Sequence, residues 1–142
     1  MTTVEYLEQI GKLNSKINNR LVEIEQARVM ACSISAINYD ERVQASPNFD
    51  KIGTALCKIE KMQEKLNKLI DTYVDKKTEI IEQIESLENE IHRDILYKRY
   101  AEGKTLVEIE TDVNYSYRNL QRHHKRAISK FEAKYGEIYL NI

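Results

Sequence analysis

Apolar residues recur at steps of three and four along two long stretches, and this spacing is the feature that most restricts the fold. Such spacing is typical of α-helices that bury one stripe of their surface. The first stretch, residues 3–33, contains Ile10, Leu13, Ile17, Leu21, Ile24, Ala27 and Ala31. The second, residues 50–86, contains Ile52, Ala55 or Leu56, Ile59, Met62, Leu66, Leu69, Tyr73, Ile80 and Ile84, and its stripe continues to Leu87. With one proline and four glycines in 142 residues, the sequence predicts an all-α protein.

Neither long helix can bury its stripe alone, so we expect a long antiparallel, coiled-coil-like hairpin over residues 1–86. Thr2 and Glu5 have the spacing of a capping box at its start. A loop is expected over about residues 34–49, because the helical period is lost after Ser33 and Pro47 disfavours a helical Ser46. The stripe is interpreted as core, which includes the possible seam of a homodimer through the long helices.

Cys32 and Cys57 lie among apolar helical residues and do not have metal-ligand spacing. We interpret them as small core or interface residues of a protein in a reducing cytoplasm.

The chain has no run of apolar residues long enough to span a membrane, and residues 1–5 lack the basic and apolar regions of a signal peptide. A cytoplasmic protein is therefore expected.

The net charge of −1 conceals an uneven distribution of charge along the chain. Residues 1–90 contain 12 lysines and arginines and 16 acidic residues, whereas residues 91–135 contain 10 and 6. Within residues 116–135 there are six basic residues and one acid, Glu132. Positive charge concentrated in one segment is typical of a nucleic-acid-binding module.

That segment lies within a run of short helices, residues 87–142, which we expect to form a second, C-terminal unit. Asn89 can cap a helix that Gly103 ends. Thr105 and Glu108 have capping-box spacing at the start of a short helix, and Ser116 caps the next one after a tight turn. Two short helices joined by a tight turn are the pattern of a helix-turn-helix, whose second helix enters the DNA major groove.

The second helix, expected over residues 116–135, would turn Leu120, Ala127, Ile128 and Phe131 inward, with one of the two adjacent histidines between them. Its expected outward residues are Tyr117, Arg118, Asn119, Gln121, Arg122, Lys125, Arg126 and Lys130. Arginine can form bidentate hydrogen bonds to guanine, and asparagine or glutamine to adenine. The more distant cations, Lys125, Arg126 and Lys130, are expected at phosphates. The sequence therefore predicts that this helix contacts DNA.

The segment LYKRYAEGKTLVEI, Leu96–Ile109, with Leu120 and the later KRAI, Lys125–Ile128, resembles region 4 of sigma factors. The resemblance implies a module that recognises promoter DNA. Glu110 departs from this pattern, because region 4 usually has a small alanine there. His123 departs as well, since it replaces an apolar residue.

Less specifically, the whole chain resembles small phage and prophage proteins akin to the ArpU and RinA late transcription regulators. The resemblance rests on an N-terminal helix, the segment Glu41–Ser46, a second long helix and the region-4-like end. It implies a phage-type transcriptional regulator, most simply an activator, in a bacterial host cell, with RNA polymerase as a possible partner. A sigma core-binding region 2 is not recognisable, which argues against a complete sigma factor.

Two alternatives remain open at this stage. A small terminase subunit for DNA packaging also joins a helix-turn-helix to an oligomerising helical stalk. A protein-docking module could act on RNA polymerase without binding DNA.

No phosphate loop, nucleophile elbow or metalloprotease motif occurs, so we expect no enzyme, no cofactor and no metal site. Adjacent His123 and His124 point about 100° apart on a helix, so one is expected to pack and the other to face phosphate or solvent.

Overall fold

The computed structural model describes the backbone of residues 1–40 and 48–142 and the side chains of residues 1–33 and 50–142. Every regular element in these ranges is helical, which confirms the all-α prediction. The elements are α1 (Thr3–Leu7), α2 (Gln9–Asp40), α3 (Asn48–Glu85), α4 (Glu90–Leu96), a π-helical turn (Tyr97–Ala101), α5 (Leu106–Asp112) and α6 (Tyr117–Tyr139). None of these described helices has both the length and the apolar content that a membrane crossing requires.

The predicted capping box at the start of the chain is confirmed. The Glu5 backbone N–H donates to the Thr2 hydroxyl at 3.2 Å, and the Thr2 N–H donates to the Glu5 carboxylate at 2.8 Å. Regular helix is interrupted at Glu8, yet the Glu8 N–H still donates to the Val4 carbonyl at 2.8 Å. The Lys12 N–H likewise donates to the Glu8 carbonyl at 3.0 Å, so the hydrogen-bond ladder continues from α1 into α2.

The predicted start of the connecting loop was wrong by about two helical turns. Helical backbone continues through residues 34–40 to Asp40, and α3 already begins at Asn48. No glycine or proline lies between Ser33 and Asp40, so loss of the apolar period alone does not end the helix. Most of the segment Glu41–Ser46 that was singled out in the sequence has no structural description, because residues 41–47 lie outside the described residues.

The chain forms two compact units, one of residues 14–72 and one that combines residues 1–13 with residues 73–142. In the first unit the end of α2 lies beside the start of α3, since Ala27 and Ala31 line the same groove as Asp50 and Thr54. The two helical segments are therefore antiparallel within this unit. The buried members of its stripe are Ile17, Ile24, Ala31, Ile59 and Leu66.

The second unit contains the helix-turn-helix together with both ends of the predicted hairpin. One core joins Tyr6, Leu7, Ile10, Ile80, Ile84, Leu87, Leu96, Tyr100, Ala127, Phe131 and Tyr139. The division therefore differs from the expected boundary between residues 86 and 87. The physical reason is that α1 packs against α6: the Tyr6 and Tyr139 rings stack at 4.4 Å between centroids. The Tyr139 hydroxyl also donates to the Thr3 hydroxyl at 3.0 Å.

The two cysteines are not core residues, which corrects that part of the interpretation. Cys32 and Cys57 are both exposed. Cys32 follows buried Ala31 and therefore points about 100° away from the stripe.

Two predicted stripe residues are exposed as well, since Leu21 is 48% and Leu56 is 53% accessible. Of the two candidates at that step of α3, the smaller Ala55 is the half-buried one.

Candidate nucleic-acid interface

The helix that precedes the helix-turn-helix begins and ends where the sequence predicts. The Asn89 side chain accepts a hydrogen bond from the Ile91 N–H at 2.9 Å, which caps α4. Gly103 ends the helical run with a φ of +73°, a left-handed conformation that favours glycine. Between them, Tyr97–Ala101 is π-helical, and the Glu102 N–H donates to the Tyr97 carbonyl at 3.1 Å. This π-helical turn could not be predicted from the sequence, because no residue type marks it.

The first helix of the motif, α5, is fixed at both ends. Its predicted capping box is present: the Glu108 N–H donates to the Thr105 hydroxyl at 3.3 Å, and the Thr105 N–H donates to the Glu108 carboxylate at 3.4 Å. Lys104 precedes the helix, and its Nζ lies 2.6 Å from the Asp112 carboxylate at the helix end. This contact raises the pKa of Lys104 and lowers the pKa of Asp112, so both side chains stay charged at neutral pH.

The second helix of the motif, α6, is held by its inward residues. Ser116 caps it by accepting a hydrogen bond from the Asn119 N–H at 3.4 Å. Leu120 packs in a small core with Ile95 and Ile109, while Ala127 and Phe131 belong to the larger core. The predicted inward positions are thus confirmed, with Ile128 half-buried. Because α4 and α5 both pack against α6, its opposite face is presented on a rigid support.

All of the residues predicted to contact DNA are exposed on α6. They are Tyr117, Arg118, Asn119, Gln121, Arg122, Lys125, Arg126 and Lys130. The arrangement brings the arginine and amide side chains of residues 118–122 together at the N-terminal turns. Lys125, Arg126 and Lys130 follow along the helix. The only large apolar group in this set is the Tyr117 ring, which is 40% accessible.

The basic side chains of this face are not neutralised by nearby acids. Within the described residues, every salt bridge lies outside α6; the pairs are Arg20–Glu23, Lys76–Glu79, Lys98–Asp94, Lys104–Glu102 and Lys104–Asp112. The first acid along α6 is Glu132, whose carboxylate accepts a hydrogen bond from the Thr3 hydroxyl at 2.6 Å. The cations of residues 118–130 are therefore available to an external anion.

The two adjacent histidines differ from the prediction, because both are half-buried and neither simply faces solvent. The His124 Nε2 lies 2.8 Å from the Tyr100 hydroxyl. Burial lowers the pKa of His124 and raises the pKa of Tyr100 to about 12, so the phenol keeps its proton and the imidazole stays neutral at pH 7. His123 instead packs at the edge of the Tyr115 ring and 6.4 Å from the His92 ring.

Two buried residues of this unit were not expected from the sequence. His92 is buried in α4, although the nearby Glu90, Arg93 and Asp94 are charged and gave no indication that it would be covered by α6. Tyr139 is buried because α6 continues one turn beyond the predicted end at residue 135.

Glu110, which departs from the pattern of sigma region 4, is exposed beside buried Ile109. It therefore does not disturb the contact between α5 and α6.

Within the described residues, no group of three or more histidine, cysteine or acidic side chains is placed to hold a metal ion. No protein-family model, no curated protein and no solved structure matches this chain.

Proposed function

We propose that this protein binds double-stranded DNA in a sequence-specific manner, with α6 in the major groove, and regulates transcription without catalysing a reaction. The observation that carries the proposal is the exposed face of residues 117–130. This face holds no acid and five cations that form no salt bridge with the described residues, and its helix is held by its inward residues. An α-helix fits the major groove, where arginine and amide side chains can distinguish base pairs. The remaining cations can contact phosphates.

This face is less suited to docking on a protein. The cores of protein–protein interfaces are depleted in charged residues, and most of the exposed α6 face is charged or amide-bearing. Within residues 117–130, the Tyr117 ring is the only large apolar side chain that is exposed. A DNA backbone, in contrast, carries a dense array of negative charges that these cations can neutralise.

The biological setting is proposed from the resemblance to sigma region 4 and to late phage regulators. A regulator of this kind would act on DNA in the cytoplasm of the bacterial host and would activate phage genes. RNA polymerase is then the natural second partner, because an activator bound near a promoter can recruit it.

Self-association is part of the proposal, and the unit of residues 14–72 supplies the surface. Leu21, Val22, Val29, Met30 and Leu56 of this unit are each about half exposed or more. Burying such side chains against a second copy is favourable. Sedimentation equilibrium would show a mass near twice 16.7 kDa at micromolar concentrations, whereas a constant 16.7 kDa would contradict a dimer.

The salt dependence of binding tests duplex binding itself. If Lys125, Arg126 and Lys130 each contact one phosphate, log affinity should fall with log salt with a slope of about −2.7 per chain. Affinity for a labelled duplex would then drop roughly 40-fold between about 50 and 200 mM salt. Fluorescence anisotropy measures this directly.

Lys130→Ala is expected to make that slope less steep by about 0.9, since one phosphate contact is lost. Lys61→Ala is the matched control, because Lys61 is exposed on α3 in the other unit and should leave the slope unchanged. Lack of binding at about 50 mM salt, where phosphate contacts are strongest, would refute the proposal and favour the protein-docking alternative.

A further inference from the structure

A groove between the start of α4 and the C-terminal half of α6 brings three basic side chains together. We name it the α4–α6 groove; it has a volume of about 460 Å³ and is lined by Leu87, Glu88, Asn89, His92, Lys130 and Lys134. His92 comes from α4, and the two lysines come from successive turns of α6. Glu88 is the one acid in this lining.

The three basic groups of the groove are held differently. His92 is only 6% exposed, and none of the hydrogen bonds among the described residues involves its ring. Lys134 donates to the Ser86 carbonyl at 2.8 Å, which fixes its ammonium at the groove edge. Lys130 is exposed and belongs to none of the ion pairs among the described residues. An imidazole that lines a groove beside two cations, and makes no hydrogen bond to the described residues, is suited to a bound anion.

The charges that surround His92 within the protein disfavour a charged imidazole. Burial lowers the pKa of His92, and the positive charges of His123, Lys130 and Arg126 lower it further. Lys134 adds a further positive charge to the lining, in which Glu88 is the only acid. An anion placed among these groups would screen the repulsion and accept a hydrogen bond from the protonated ring. The pKa of His92 should therefore rise when the groove is filled.

We propose that the α4–α6 groove is a phosphate site and that His92 takes up a proton from solvent when a phosphate group enters it. This inference rests on the proposed function for the source of the phosphate, which is the DNA backbone. Arg122, Arg126, Lys130 and Lys134 follow at i, i+4 spacing on one side of α6, so they form a line from the base-contacting turns to the groove. Arg122 and Lys130 are about 12 Å apart along the helix axis.

The coupling between protonation of His92 and phosphate binding predicts how the affinity for phosphate depends on pH. Because the pKa of His92 is lowered in the free protein and raised in the complex, phosphate binding strengthens as pH falls between the bound and free pKa values. The gain is complete below the free pKa and absent above the bound pKa. Each unit by which binding raises the pKa contributes up to about tenfold in affinity at low pH.

The first experiment needs no DNA. Sulfate keeps its charge between pH 5 and 8 and serves as the probe, with chloride at equal ionic strength as the reference. We expect sulfate to raise the pKa of His92, measured from its ring C–H resonances by NMR. The rise in the pKa of His92 should saturate as the sulfate concentration increases. Lys130→Gln and Lys134→Gln should each make this rise smaller. Lys61→Gln, at an exposed position of α3 outside the groove lining, should leave the sulfate-induced rise in the pKa of His92 unchanged.

The second experiment compares duplex-DNA affinity at pH 8 and pH 6 for the parent and for His92→Gln. The parent should bind about three- to tenfold more tightly at pH 6, and the variant should change less than about twofold. Thermal unfolding of His92→Gln checks that this variant folds. If it does not fold, the same comparison of pH 8 and pH 6 is made with Lys130→Gln, whose position is exposed.

The two experiments separate the possible failures. DNA binding with no effect of sulfate on His92, and equal pH dependence in parent and variant, would overturn the phosphate site while leaving the proposed function intact. A sulfate effect without DNA binding would refute DNA as the source and assign the groove to a free phosphate compound.

Discussion

Phe131→Ala is expected to lower the free energy of unfolding by about 3–5 kcal/mol, which is a large fraction of the roughly 5–15 kcal/mol that stabilises an ordinary domain. Phe131 is fully buried on α6. Its ring centroid lies 6.1 Å from that of Tyr6, 5.2 Å from that of Tyr135 and 6.3 Å from that of Tyr139. Truncation would therefore open a cavity where α1, α3 and α6 meet. Urea unfolding followed by circular dichroism measures the change.

Ile138→Ala is the matched control for this experiment, because Ile138 lies two turns further along the same helix and is 51% exposed. A change within about 0.5–1 kcal/mol is expected for that variant, as for most surface positions. If Phe131→Ala also cost less than about 1 kcal/mol, the packing of α6 onto the N-terminal helix would be wrong.

Arg118→Ala and Arg122→Ala should each weaken binding to the preferred DNA site by about 1–3 kcal/mol, or about 5- to 150-fold. Both side chains are exposed on the first turns of α6, where a recognition helix meets base edges. Each loss should also relax sequence preference at one position. Affinity for random duplexes should fall less, since only the charge contribution is removed. Anisotropy titrations with the preferred and a random duplex give both values.

Arginine-to-lysine variants at the same positions separate base contact from charge. Lysine keeps the charge but lacks the planar guanidinium that forms two parallel hydrogen bonds to guanine. Arg122→Lys should therefore lose specificity while nearly keeping its affinity for random DNA. Full retention of specific binding by Arg118→Lys and Arg122→Lys would show that these residues contact phosphates only.

Local signals explain why much of the motif could be predicted from the sequence. The caps at Asn89, Thr105 and Ser116 depend on residues two or three positions away, and all three are present. The helical period of α6 likewise identified Leu120, Ala127 and Phe131 as buried. The set of exposed residues on α6 follows from the same period, whereas their contact with DNA stays a prediction.

Features that depend on distant contacts could not be predicted in this way. The stacking of Tyr6 on Tyr139 joins the two ends of the chain, and no local pattern encodes it. The same applies to His92, whose burial depends on α6 packing over α4. Cys32 was interpreted as a core residue but is exposed, since apolar neighbours in the sequence do not imply a position on the buried stripe.

Selection of bound sequences from a pool of randomised duplexes tests the central claim most directly. The account predicts enrichment of one short motif, which the parent protein binds about a thousandfold or more tightly than random DNA. It also predicts that the combined Arg118→Ala and Arg122→Ala variant enriches no motif. Uniform recovery of all sequences by the parent protein would contradict a sequence-specific regulator and leave only non-specific binding or none.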